Sequence, residues 1–343
     1  MRRTILALCA CTAIACAVPH VSTRAQSSAP AGLAPDDRVR IAETFRLAAA
    51  LGDALWPEWS KAPFAVLLVT PEREYLVRHP RPSADFTRVG YDSLIGADVL
   101  SRPRTLSPTF LATFPAVGGV PTIVVGTSAA TKKSSTAWVL TLMHEHFHQL
   151  QMSHAGYYDG VNALGLARGD ATGMWMLNFP FPYDSSTVAA RFGDLARTLD
   201  GALTPPSTSA RPSDGAARWR TVVDARTALR GAIAPDAEKY LAFQMWQEGA
   251  ARYTELQVAR WAAAHYAPSD AFRALPDYAP FGGAADSLEA GIRSQLRRAD
   301  LVRDRRVSFY PLGAATAMLL DRVAPEWRAG YFDHGYSLDA MVP

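Results

Sequence analysis

Cysteine is nearly absent from this sequence of 343 residues, and the few cysteines are confined to one end. They are Cys9, Cys11 and Cys16. The remaining residues can form no disulfide and offer no thiolate to a metal. Any metal site there must be built from histidine and carboxylate. Long hydrophobic runs are missing too. Past the N-terminal segment no stretch of about 18 apolar residues occurs, so no membrane helix is expected. A surplus of one charge is also lacking. The formal +3 rests on Arg2, Arg3 and Arg24; without them 32 basic residues face 32 acidic ones. No basic stripe interleaves with aromatics, so nucleic acid is not an expected partner. No internal repeat is found.

The N-terminus carries its own pattern. Arg2 and Arg3 form a charged start. Ile5 to Val18 is apolar, but too short and too rich in alanine for a stable membrane span. Thr23-Arg24-Ala25 offers a small-residue cleavage site. Residues 1–25 therefore read as a signal peptide, and the mature protein, starting near Gln26, is expected to be secreted or periplasmic. A minor alternative is lipidation at Cys16, since Ala13-Ile14-Ala15-Cys16 partly matches a lipoprotein box but lacks its leucine.

The next segments change period. Asp36 to Leu55 reads as an amphipathic helix. Phe64–Thr70 and Glu74–His79 look like a hairpin, and Phe114–Val117 and Pro121–Thr127 like further strands turning at Gly118-Gly119. From Ser134 onward the patterns are mainly helical. They cover Trp138–His154, Ser186–Leu203, Ala217–Ile233, Pro235–Tyr266 and a last helix from Pro311 to about Pro325. Gly156–Ser185 is irregular and aromatic, and Leu203–Ala217 reads as a surface loop. The expected fold is α+β. A small mixed or antiparallel sheet lobe (26–134) precedes a larger helical lobe (135–343), with the functional site between them.

One helix carries the chemistry. His144-Glu145-His146-Phe147-His148 is an HExxH motif. Four residues apart, His144 and His148 project from one helix face and can close on a single metal ion. Glu145 then lies where it can take a proton from metal-bound water. Val139, Met143, Phe147 and Leu150 form an apolar stripe, so the helix is packed into a core. His146 faces roughly away and reads as a core histidine or a support to the site.

Two histidines need a third protein ligand. One candidate is Glu248, a carboxylate costly to bury unless it is paired or metal-bound. Gly249 follows it and would let another backbone or a substrate come close. The other candidate is His154, at the spacing of HExxHxxGxxH. There Gln151 replaces the glycine that ends the helix and swings the third histidine back.

HEHFH followed by WQEGAARY resembles the gluzincin metallopeptidases, in which a later helix supplies a glutamate ligand. The likeness is confined to these two helices. It implies that His144, His148 and Glu248 hold one zinc ion, that Glu145 is the general base, and that peptide or protein is the substrate. Many members carry an acidic residue where this protein has Arg252, which leaves Glu255 as the stand-in partner of His144. Such enzymes usually place a Tyr or His downstream to stabilise an oxyanion. Tyr310 is the first choice, ahead of Tyr253, His334 and Tyr336. The strand Pro121–Thr127 is a candidate edge for extended substrate, and 174–183 a candidate cleft wall. Two alternatives remain open: a metzincin-like peptidase using His154, and a non-catalytic secreted binding protein.

Overall fold

The computed structural model describes residues 32–204 and 213–341. The expected signal peptide, Cys16 included, and most of the expected loop at 203–217 lie outside those residues.

Helix α1 (Pro35–Leu51) begins with a proline in its first turn and with Asp36 and Asp37, both suited to the positive end of a helix. It stops short of Leu55 because Gly52 takes a left-handed φ of 52°. Six strands follow: β1 (Val66–Val69), β2 (Arg73–Val77), β3 (Thr87–Asp92), β4 (Ala97–Pro103), β5 (Leu111–Val117) and β6 (Val120–Gly126). They form one sheet in the order β3-β4-β2-β1-β6-β5. Only β1 and β6 run parallel, with Val66 opposite Ile123; every other pair is antiparallel. The pleat sorts the side chains by face. Val66, Leu68, Tyr75, Val77, Ile123 and Val125 join the core shared with the helices. Leu67, Val69, Leu76 and Val124 point the other way, into a small cluster closed by Phe86, Leu106 and Phe110.

The sheet is larger than the sequence pattern suggests. Strands β3 and β4 carry no clean alternation, and no residue of β3 is buried. The strand expected to be an edge is not one: β6 is paired on both sides, by β1 and β5. The edge on that side is β5. Gly118 and Gly119, with φ of 55° and 70°, join β5 to β6. Two consecutive positive φ values suit a two-residue hairpin turn.

The helices follow: α2 (Ser128–Thr131), α3 (Ser135–Ser153), α4 (Tyr157–Ala163), α5 (Trp175–Asn178), α6 (Ser186–Leu203), α7 (Ser213–Arg230), α8 (Pro235–Gln244), α9 (Ala250–His265), α10 (Asp270–Arg273), α11 (Phe281–Arg297), α12 (Leu301–Asp304) and α13 (Phe309–Val323). Ser134 caps α3 through Ala137 N. Ser135 instead turns its hydroxyl to Asp277. The single helix expected over Pro235–Tyr266 is α8 and α9 joined by a π turn, Met245–Gly249. Helix α11 goes unanticipated because Gly282, Gly283 and Gly291 depress its helix propensity. Its apolar stripe of Phe281, Ala285, Ile292 and Leu296 is buried all the same. The protein is thus α+β, an N-terminal sheet followed by a larger helical part, and one continuous core from Leu33 to Met341 joins the two. No described helix is long and apolar enough to cross a membrane.

Candidate metal centre

Helix α3 is buried along almost its whole length, with Trp138, Val139, Leu142 and Phe147 inaccessible to solvent. Its histidine face meets the π turn between α8 and α9. There the extra residue of the wider turn alters which side chains face inward, a feature common at functional sites. Glu248 lies in that turn. Its Oε2 is 3.5 Å from His148 Nε2 and 3.9 Å from His144 Nε2. His144, His148 and Glu248 each offer one donor atom, all within 4.8 Å of one another, and the group could hold a metal ion. A tetrahedral site with bonds of about 2.0–2.2 Å separates its ligand atoms by roughly 3.3–3.6 Å. The two carboxylate–imidazole distances lie within that range or slightly above it.

Close approach of a neighbouring backbone fixes the π turn. A β-carbon on Gly249 would lie 2.4 Å from Gly313 Cα, and one on Gly313 would lie 2.4 Å from Met245 O. Helix α13 therefore crosses directly against the turn, backbone to backbone. This crossing brings Tyr310, one turn before Gly313, to Glu248.

Each histidine is held from behind. His148 Nδ1 is 2.6 Å from Gln151 Oε1. The Gln151 amide nitrogen donates to Gln247 O at 3.1 Å and to Tyr331 Oη at 2.7 Å. Those acceptors orient the amide, so its oxygen must face the ring and Nδ1 must carry the proton. Nε2 is left to face Glu248. Burial acting alone would lower the pKa of His148. Glu248 beside it, with help from Glu145 and Gln151, lifts it to about 9. His144 Nδ1 faces Glu255 Oε2 at 3.7 Å, and Glu255 is in turn gripped by Arg252 at 2.7 Å. Burial raises the pKa of both carboxylates, yet both settle at about 2. Arg252 and His144 lower Glu255; His148, His144 and Arg306 lower Glu248.

Glu145 is buried. Thr113, on the edge strand β5, places its hydroxyl 2.8 Å from Glu145 Oε2 and 3.0 Å from the Glu145 carbonyl oxygen. The sheet edge thus fixes the carboxylate beside the histidine pair. Tyr310 also reaches the group. Its hydroxyl accepts from Arg306 at 2.5 Å, and burial together with Glu248 raises its pKa well above the ordinary phenol range.

Other candidate residues lie elsewhere. Helix α3 runs on past Gln151 to Ser153, and His154 stacks on Phe332 with ring centroids 4.2 Å apart. His146 stacks between Phe64 and Trp59, with burial lowering its pKa to about 4. Tyr253 donates to Asp321 and Tyr336 to Tyr157 O, while His334 is exposed beside Gly330. In the 174–183 segment Trp175, Phe179, Phe181 and Tyr183 are buried core residues. The Met176 carbonyl oxygen nevertheless receives Gln244 Nε2 at 3.1 Å, which ties the segment to the helix ahead of the π turn. Thr113 and Arg306 go unread in the sequence, and Gln151 is read there only as a replaced glycine. Gln151 had a signal, standing three positions after His148 on the same helix. Thr113 and Arg306 had none, because only the tertiary fold brings them in.

No protein-family model, curated protein or solved structure matches this sequence.

Proposed function

We propose that the protein is a zinc-dependent metallopeptidase of the gluzincin type, acting on peptide or protein outside the cytoplasm after removal of residues 1–25. One observation carries the reading. A buried glutamate, Glu145, lies within a group whose three donors, His144, His148 and Glu248, converge at ligand spacing. The donor set fits zinc, since two imidazoles and one carboxylate with an open fourth position are a hydrolytic zinc set. The absence of cysteine from the described residues removes the thiolate alternatives. Held there, zinc would supply Lewis acidity to a carbonyl oxygen and to water.

The protein's own groups do the rest. Glu145, its Oε2 fixed by Thr113, takes a proton from the attacking water as the water oxygen bonds to the scissile carbon. It then returns that proton to the amine as the carbon–nitrogen bond breaks. Gln151 and Glu255 keep each ligand imidazole turned to the same point, which lowers the cost of organising the site. Tyr310 is close enough to Glu248 to donate to an oxyanion beside it.

Two measurements test this. The purified mature protein should carry about one zinc per molecule, lost in His144→Ala and in His148→Ala. Glu145→Gln should keep the zinc and lose at least about a hundredfold in peptide hydrolysis. Full zinc retention in both histidine variants would remove the site assignment. Zinc-loaded wild type that hydrolyses nothing in broad peptide libraries would leave a binding protein in its place.

A further inference from the structure

Arg306 stands one carboxylate away from the histidine pair. Its Nη1 is 3.4 Å from Glu248 Oε1, 3.3 Å from Gln244 Oε1 and 2.5 Å from Tyr310 Oη. All of these contacts use one nitrogen. Nε and Nη2 make no hydrogen bond among the described residues. Yet no fully buried side-chain nitrogen or oxygen there lacks a partner. Neither atom is therefore fully buried, although the side chain is only 19% exposed.

Nε and Nη2 share one edge of the planar guanidinium, the edge that takes a carboxylate through two parallel N–H···O bonds. Elsewhere in this protein Arg38 grips Asp92, and Arg303 grips Asp304, in that way. In Arg306 the fork is open. The group is also fixed in advance, because three neighbours anchor it without using the fork. A ligand would therefore find the guanidinium already ordered, at little further entropic cost.

We propose that the Nε/Nη2 edge of Arg306 is a carboxylate-binding subsite beside the metal-capable group. The preferred substrates would be peptides with a free carboxylate on the order of one or two residues, at about 3.3–3.6 Å each, from the bond at His144, His148 and Glu248. That the carboxylate belongs to a peptide rests on the peptidase reading; the subsite itself does not. The carboxylate can be the terminal α-carboxylate of a peptide or an Asp or Glu side group, and the test separates these sources.

The test is equilibrium binding to the zinc-loaded Glu145→Gln protein, which needs no turnover. The probes are N-acetylated pentapeptides in matched pairs. One pair has a C-terminal acid against the amide. The other is amidated and carries Asp or Glu against Asn or Gln. At least one acid should bind about tenfold or more tighter than its neutral partner, as expected for a charge-assisted fork. The pair that shows the gap names the source. Arg306→Gln, with zinc content checked in the same sample, should erase the gap and still bind the amides. Equal affinity within both pairs would overturn the subsite, and that comparison needs no variant at Arg306. Equal hydrolysis and equal binding of acids and amides would sink the subsite alone. Acid-selective binding without any hydrolysis by wild type would sink the peptidase reading alone.

Discussion

Gln151 holds His148 by a 2.6 Å hydrogen bond to Nδ1, and it does so from the position where a helix-ending glycine would send the backbone another way. The same amide donates to Gln247 O in the π turn that carries Glu248 and to Tyr331 Oη. One amide group therefore couples the orientation of one member of the metal-capable group to the backbone beside another. Gln151→Met should cut zinc affinity by about 10–100-fold, the usual cost of losing a partner behind a ligand histidine. Competition with a chelator measures this. Unchanged affinity in a variant that still folds would show that Gln151 does not orient the ring.

The contact between Gly249 and Gly313 predicts a packing effect with a functional consequence. A methyl group on Gly313 would overlap Met245 O and sit 2.7 Å from Gly249 Cα, against backbone that cannot swing aside. Gly313→Ala should destabilise the fold by about 1–3 kcal/mol in chemical denaturation. It should also weaken zinc binding, because relief comes from moving the turn that holds Glu248. Wild-type stability and wild-type zinc affinity together would refute this coupling.

Local chemistry made some of this legible in the sequence. The apolar stripe and the spacing of His144 and His148 each speak through neighbours within a turn or two. Helix α3 ends at Ser153, close to the expected His154. Glu248 could be singled out because a carboxylate in an apolar stretch needs a reason. What stayed hidden depends on tertiary contact. Strand β3 buries no residue, so no alternation marks it. Helix α11 forms because its stripe is buried, despite three glycines. The π turn cannot be seen in a periodicity that reads 235–266 as one helix. The interior place of β6 follows from β1 and β5 pairing on its two sides, which is a matter of tertiary contact.

Acid should remove the stabilisation that Glu74 gives the fold. This carboxylate is fully buried, salt-bridged to Arg102 at 2.6 Å and bonded by the Thr105 and Leu106 amides at 2.7 and 2.6 Å. Burial pushes its pKa up, but those donors together hold it below the ordinary 4.5. The unfolded state then binds the proton more readily than the folded one. The stabilisation is full above pH 4.5 and is lost as pH falls toward the lower folded value. Glu74→Gln should cost on the order of 2–3 kcal/mol at pH 7. The gap to wild type should close as pH drops below 4.5. A gap that stays constant from neutral to strongly acidic pH would rule out this linkage.

The identity of the third ligand separates the two peptidase readings, and two substitutions decide it. His154 caps the end of α3, and its ring lies flat on Phe332. To reach the metal-capable group, α3 would have to break near Gln151, where left-handed backbone is costly for a residue other than glycine. Breaking it would also strip His148 of its Gln151 partner. Glu248 needs no such movement, since its Oε2 already faces both Nε2 atoms. Glu248→Ala should therefore weaken zinc binding by more than the about 10–100-fold typical of outer partners. His154→Ala should leave zinc binding unchanged within about twofold, a difference of under 0.5 kcal/mol. Metal content and chelator competition on both purified variants give the answer. Strong zinc loss in His154→Ala, with full retention in Glu248→Ala, would replace the gluzincin reading with the metzincin one.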